Sequence, residues 1–572
     1  MSELPVVIIG AGPVGLSTAL FLAGHGIASV VVERHPGTSV HPKARGIGPR
    51  SMELFRQVGL EERVREVGSA LSGSRGWATV DRLDRTALAN STRIFEFRDG
   101  DDPNAVLASP CTGILCPQLL LEPVLLEAAR DAGVDVRFGT RMVGLRQHAD
   151  GVTLAVDDAA GRLSTLRARH VVGADGKRSP VRSLSGIGMS QVRFFGRAVT
   201  IYFRADLTDL VSGHEFVACR ITGEAGAGLL LGIDNRSRWT LIRRLGKDET
   251  QATYTPERCA EVLRAGIALP LDDLEILGVS EWRASSGIAD AYVRGRVYLA
   301  GDAAHIMPIS GGFGLNTGLH DAHALAWRIA AFERGHAGPA LLAGYEAERR
   351  AVALATINQA VVRSRFPRLR WAPDSSPQRA AVGMVNRLET DIAYTYGCST
   401  RRDGGDPRDQ AAESAGAFGP LPDGRPGSRV PHVWLIRDGK PISTLDVAGR
   451  GFTVLAGPDG SAWCEAARRI AERRGAEVAG HRLGPRGDLA DPSGAWSTAA
   501  GIGPAGALLV RPDGFVAERF TDAAPNPVAA LDDAIGTCLA GPAAHRNEDI
   551  DDANGSAPRP DGSLLLTPQM AR

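Results

Sequence analysis

Cysteine is scarce. There are seven in 572 residues, an odd number, with no Cys-x-x-Cys and only Cys111 and Cys116 close together. That argues against a disulfide framework and a cysteine-ligated zinc site, and it suits a reducing cytoplasm. Net charge is lacking as well: Lys+Arg and Asp+Glu both total 65, so no overall field draws the chain to nucleic acid or an anionic membrane. Only four of those cations are lysine, and the bias toward Arg, Ala and Gly reflects GC-rich coding rather than a function. Charge is absent from Leu4 to Val32, a stretch long enough to resemble a membrane span. Gly10, Gly12, Pro13 and Gly15 interrupt it and no basic leader precedes it. It reads as strand, turn and buried helix, with neither signal peptide nor membrane segment expected. Internal repeats are missing too.

What remains is a soluble, multidomain composition, 44% hydrophobic and 23% charged. "VVIIG" (6–10) is a short apolar strand, "PVGLSTALFLAGHG" (13–26) has helical spacing with Pro13 near its start, and "ASVVVERHPG" (28–37) is a second strand. This βαβ opening predicts an α/β fold with a Rossmann-like domain formed by 1–185 and 285–365. Runs such as "AVTIYFRADL" and "AGLLLGID" predict an antiparallel-sheet domain over 186–284. Residues 366–430, rich in Pro, Arg, Asp and Gly, read as a connector. Residues 431–540 form a small α/β domain, and 541–572 a flexible tail.

Three motifs carry chemistry. In Gly10-Ala-Gly12-Pro13-Val14-Gly15, the first glycine permits a tight turn. The second admits a pyrophosphate to the backbone, and the third lets helix and strand pack closely. Glu33 ends the next strand, placed to accept from a ribose hydroxyl, with Arg34 beside it. "VVGADGKRSPVR" (171–182) delivers Asp175-Gly176 into a turn followed by Lys177, Arg178 and Arg182; alone, it reads equally well as an ordinary strand-end turn. "LAGDAAHIMPISGGFGLNTG" (299–318) sets Asp302 after a strand, leaves the backbone bare at Gly311, Gly312 and Gly314, and starts a helix at Leu315–Asn316 whose free N–H groups can meet an electron-rich oxygen. His305 lacks a nucleophile partner and reads as structural.

Taken together, these motifs resemble the single-component FAD-dependent aromatic hydroxylases of the para-hydroxybenzoate hydroxylase type. The resemblance covers about 1–365 and includes "KARGIGPRSMELFRQVGL" (43–60) and "CPQLLLEPVL" (116–125). It implies flavin contacts for Arg45 and Gln118, and a place near both FAD and NAD(P)H for Asp175. It implies a bond from Asp302 to the ribityl–phosphate region, and a place for Pro308, Gly314, Leu315 and Asn316 beside the ring. Members often carry two prolines where this chain has Pro308-Ile309; Ile309 supplies a carbonyl there without fixing φ. The C-terminal domain resembles the thioredoxin-like appendage of the subgroup acting on phenols and actinomycete aromatic polyketides. Trp463-Cys464 stands at its motif, but Ala467 replaces the second cysteine, so the domain is read as structural, with an interface in a homo-oligomer left open.

The activity implied is that of a cytoplasmic FAD monooxygenase. It takes NADPH or NADH and O2 and hydroxylates a small-molecule polycyclic aromatic polyketide of the tetracenomycin type, once or more, in antibiotic biosynthesis. No metal, nucleic acid or membrane partner is implied, and no catalytic base is assigned. Hydroxylation of a simple phenol and a non-catalytic flavin-binding scaffold stay open as alternatives. A halogenase on the same fold is disfavoured by the missing Trp-x-Trp-x-Ile-Pro.

Overall fold

The computed structural model describes residues 3–91, 108–268, 273–371, 376–397, 418–419, 421–485, 487–541 and 565–566. Its first strand, Leu4–Ile9, is apolar throughout because it is buried in the middle of a sheet. It runs parallel to Ser29–Val32 on one side and to the second half of Leu163–Gly173 on the other. Asp135–Arg137 and Val297–Leu299 extend the parallel sheet at its two sides. The first half of Leu163–Gly173 turns antiparallel and pairs with Val152–Asp157, which pairs with Arg141–Gln147. Leu565–Leu566 adds to that edge.

This order brings three distant chain segments to one sheet edge. Gly10 N donates to Val32 O at 2.8 Å, Ala174 N to Ile9 O at 2.9 Å, and Ala300 N to Gly173 O at 3.0 Å. The residues that follow these strands are those of the three motifs. Helices Pro13–Gly24 and Phe313–Glu333 pack against each other behind that edge, with Phe21 edge-on to His323 at 5.0 Å.

Among the described residues the second sheet has seven strands. Met189–Arg204, Glu275–Ala289, Arg238–Arg244, Gly228–Gly232 and Ala218–Ile221 form its antiparallel body. Trp77–Val80 closes one edge, parallel to Ala218–Ile221, and His305–Ile306 closes the other. Helix Pro256–Gly266 buries Cys259, Val262 and Leu263 in the core that includes Ile201, Phe203 and Trp239.

The C-terminal domain is thioredoxin-like. Phe452–Ala456 is parallel to Val478–Arg482 and antiparallel to Ala507–Val510, which pairs with Val516–Phe520. Helices Ser461–Arg474 and Pro527–Ala540 cover the sheet. Trp463 is buried there, stacked on Phe520 at 4.3 Å, with its indole N–H donating to Ala505 O at 2.9 Å. Trp463→Ala is expected to cost about 3–5 kcal/mol, the usual loss for a buried aromatic. Denaturant unfolding followed on the C-terminal domain measures it.

Candidate functional site: a flavin cradle at the sheet edge

The glycines of the first turn have different jobs. Gly10 has φ +108°, and a Cβ there would lie 2.4 Å from Ala174 O; at Gly15 it would lie 1.9 Å from Gly10 O. Both positions are closed by the protein itself. Gly12 is the reverse: nothing lies within 4 Å of where its Cβ would be, and its φ of −73° and ψ of 179° suit any residue. Its bareness serves whatever approaches from outside. The helix that follows has no side-chain cap, so its first N–H groups face the same space. Glu33 is oriented by Ala11 N and His35 N, both at 2.9 Å, and touches the His35 ring at 2.5 Å. Arg34 is exposed.

Val14 locks this turn to the third motif. A Cβ at Gly318 would sit 2.6 Å from Val14 Cγ2, and one at Gly301, whose φ is +61°, 3.0 Å from it. Helix Phe313–Glu333 begins two residues before the expected Leu315, because Gly312 takes a left-handed conformation (φ +67°) and serves as its N-cap. Gly312 faces open space, and the nearest atom to a Cβ on Gly314 is Asp302 Oδ1 at 3.9 Å. Asp302 is exposed, yet protein crowds it enough to push its carboxyl upward, an effect that His305, Lys177 and Lys43 offset in part. Ile309 is exposed after the buried Pro308, and its carbonyl accepts from Gly312 N at 3.1 Å.

Arg45 and Gln118 are brought together by a two-strand ladder, Gly46–Ile47 against Ile114–Leu115, and by bonds from Cys116 N to Arg45 O (2.7 Å) and Gln118 N to Ala44 O (2.8 Å). The Arg45 guanidinium reaches the second sheet, donating to Gly232 O at 2.8 Å and Val217 O at 2.6 Å. Burial lowers its pKa to about 10. Gln118 donates to Glu122 at 2.6 Å, and Glu122 also accepts from Ser39 N at 2.6 Å. Asn316 makes its side-chain bonds within the protein, accepting from Gly48 N and Ser51 Oγ and donating to Gly46 O and Gly312 O. Only its backbone is left for a ligand.

Asp175 stands directly against the first turn, its Cα 3.1 Å from a Cβ built on Gly10. It accepts from Val181 N at 2.9 Å, and its Oδ1 is buried without a partner. Burial raises its pKa to about 6. Arg182 ties the second motif to the third, donating to Ala303 O at 2.8 Å and Lys177 O at 3.1 Å. His305 is fully buried and rests on Asp321 at 2.7 Å, in keeping with a structural role. Asp321 was not foreseen: its carboxylate also accepts from Gly301 N at 3.1 Å and Arg349 Nε at 2.8 Å. Glu122 and Arg349 were missed for the same reason, since a single charge on a helix looks like a surface charge in sequence. In the C-terminal domain, burial raises the Cys464 thiol to about 11, so it is protonated at neutral pH and a poor nucleophile.

An open glycine before an uncapped helix, an acid at the second strand end, a buried unpartnered carboxylate oxygen and an exposed aspartate beside a second helix start together fit FAD. Comparison with known proteins agrees. Residues 3–360 match the FAD binding domain model and 423–542 the aromatic-ring hydroxylase C-terminal model. The chain belongs to the FAD-dependent aromatic-ring hydroxylases, a family of flavin monooxygenases. It is 40% identical to the tetracenomycin A2 monooxygenase-dioxygenase of Streptomyces glaucescens, over 90% of this chain and 93% of that one. It is 38% identical to a 4-methyl-5-nitrocatechol 5-monooxygenase of Burkholderia sp, over 94% and 98%. A crystal structure of aklavinone-11 hydroxylase with FAD and aklavinone matches at a TM-score of 0.82 and 34% identity, over 94% of this chain and 99% of that one.

Two outcomes follow from this geometry. Gly12→Val is expected to yield folded, soluble protein that purifies colourless, whereas Gly15→Val, which drives a side chain into Gly10 O, is expected to lose the fold; flavin absorbance and circular dichroism separate the two. The second concerns pH. With its pKa raised to about 6 from an ordinary 3.8, Asp175 keeps a proton in the folded chain that the unfolded chain has released. Its burial therefore costs stability as pH rises through that window. In FAD-free protein, Asp175→Asn should gain about 1–3 kcal/mol on wild type between pH 4 and pH 7, read from urea melts at both.

Proposed function

We propose that the chain hydroxylates a flat, polycyclic, phenolic polyketide, using NAD(P)H as reductant and O2 as oxygen source, as a cytoplasmic biosynthetic enzyme. FAD, when bound, supplies the redox and oxygen-transfer chemistry. The protein's part is to hold the cofactor at the sheet edge, present the ring and keep water away. Gly10, Gly12, Pro13, Val14, Gly15, Glu33 and Arg34 would take the nucleotide end. Arg45, Gln118, Asp175 and Asp302 would take the middle, and Pro308, Gly314, Leu315 and Asn316 the ring end through their backbone. Among the described residues no helix is long and apolar enough to cross a membrane.

The observation that carries the substrate reading is an exposed apolar rim on the second sheet. Val192, Phe194 and Ile309 are exposed by 63%, 60% and 58%. The first two lie on Met189–Arg204 and the third follows His305–Ile306; both strands pair with Glu275–Ala289. Beneath it Gly287 is packed over: a Cβ there would lie 3.1 Å from Met189 Cγ and 3.4 Å from Val192 Cγ2. Such a rim suits a broad apolar ring system. The likeness to proteins named for tetracenomycin and aklavinone supports the same class. The Burkholderia relative, named for a nitrocatechol, favours a one-ring phenol as the second reading.

Competition between one-ring and four-ring phenols, followed by NAD(P)H oxidation and by mass spectrometry of products under ¹⁸O2, decides between them. Coupled turnover of the tetracyclic phenol is expected. Efficient turnover of a one-ring phenol with the tetracyclic one inert would overturn the polyketide reading.

A further inference from the structure

Asp321 is joined to the C-terminal domain by an unbroken run of buried contacts. Arg349 donates to Asp321 through Nε (2.8 Å), to Thr317 O through Nη2 (3.2 Å) and to the Tyr396 hydroxyl through Nη1 (3.3 Å). The Tyr396 ring packs on Phe515 of the C-terminal domain at 4.2 Å, and the Arg511 guanidinium of that domain lies over the Tyr396 ring, 5.2 Å from its centroid. Glu348, next to Arg349 on helix Pro339–Arg365, faces the domain directly and takes two bonds from Arg511, at 2.7 and 2.9 Å. Neighbouring residues on one helix thus hold the flavin loop and the appended domain. A second route starts at Asp513, whose carbonyl accepts from Arg50 at 2.8 Å; Arg50 lies in helix Pro49–Gln57, which Asn316 fastens at Gly48.

We propose that Asp321 is a positioning residue for FAD and that the C-terminal domain acts on FAD affinity through Phe515, Tyr396, Arg349 and Asp321. The carboxylate fixes the Gly301 amide and His305, and so sets where Asp302 points. The appended domain keeps Arg349 turned toward that carboxylate. This gives the domain a use that needs no second cysteine, and it stands whichever phenol is the substrate.

The test is a double-mutant cycle on the FAD dissociation constant of the full chain, with the visible circular dichroism of bound flavin as a second readout. Asp321→Asn should weaken FAD by about tenfold or more and change the flavin spectrum, and Phe515→Leu should weaken it by about two- to fivefold. In the Asp321→Asn background the Phe515→Leu effect should largely vanish, because coupling that runs through one residue does not add once that residue is cut. If Asp321→Asn does not fold, Tyr396→Phe replaces it in the cycle and is read the same way. Cys464→Ala, a half-buried position of the same domain outside this run of contacts, should leave FAD affinity unchanged. Wild-type affinity in Asp321→Asn, effects that multiply, or an equal loss in Cys464→Ala would each overturn the proposal.

Discussion

One carboxylate, that of Asp321, holds the site together. It is fully buried, and burial alone would raise its pKa, but the charges of His305 and Arg349 keep it below the ordinary range. A buried carboxylate held by the Arg349 guanidinium, the His305 ring and a backbone amide has little freedom to move, since losing a partner leaves a buried group uncompensated. The turn that carries Asp302 is therefore not a loose loop. It is pinned from below by Asp321 and from the side by Val14, which fills the space left by Gly301 and Gly318.

The same logic explains why so many glycines occur here for different reasons. Gly10, Gly15, Gly301 and Gly318 let protein meet protein, since a Cβ at any of them would lie within 3.0 Å of a neighbouring atom. Gly12 and Gly312 have nothing within 4 Å of an added Cβ and Gly314 only Asp302 Oδ1 at 3.9 Å, so their faces are open. In sequence all seven look alike. Only the packing separates those that build the cradle from those that form its surface.

Much of the cradle was legible because its signals are local. A strand followed by Gly10 or by Gly301-Asp302 announces itself by composition, and Glu33 lies at a readable spacing. The Rossmann-like, antiparallel and thioredoxin-like parts were legible for the same reason. What escaped was non-local. Asp321 and Arg349 acquire meaning from partners on other elements, and Glu122 from Ser39 as well as from Gln118 one turn earlier on its own helix. The start of helix Phe313–Glu333 escaped because it depends on the left-handed turn at Gly312. The Arg45 side chain reaches carbonyls of the second sheet, a contact that spacing along the chain cannot reveal.

The strand Trp77–Val80 has a consequence for how such enzymes diversify. It lies well before the other strands of the second sheet, yet it forms that sheet's edge beside Ala218–Ile221, while His305–Ile306 closes the opposite side from within the cofactor loop. A segment cut at 186–284 and moved between relatives would leave both margins behind. Grafting specificity by exchanging that segment would create two raw sheet edges, which invite aggregation. Altering the ligand-facing residues in place keeps both margins covered, so point changes are the more open route to new substrates on this scaffold.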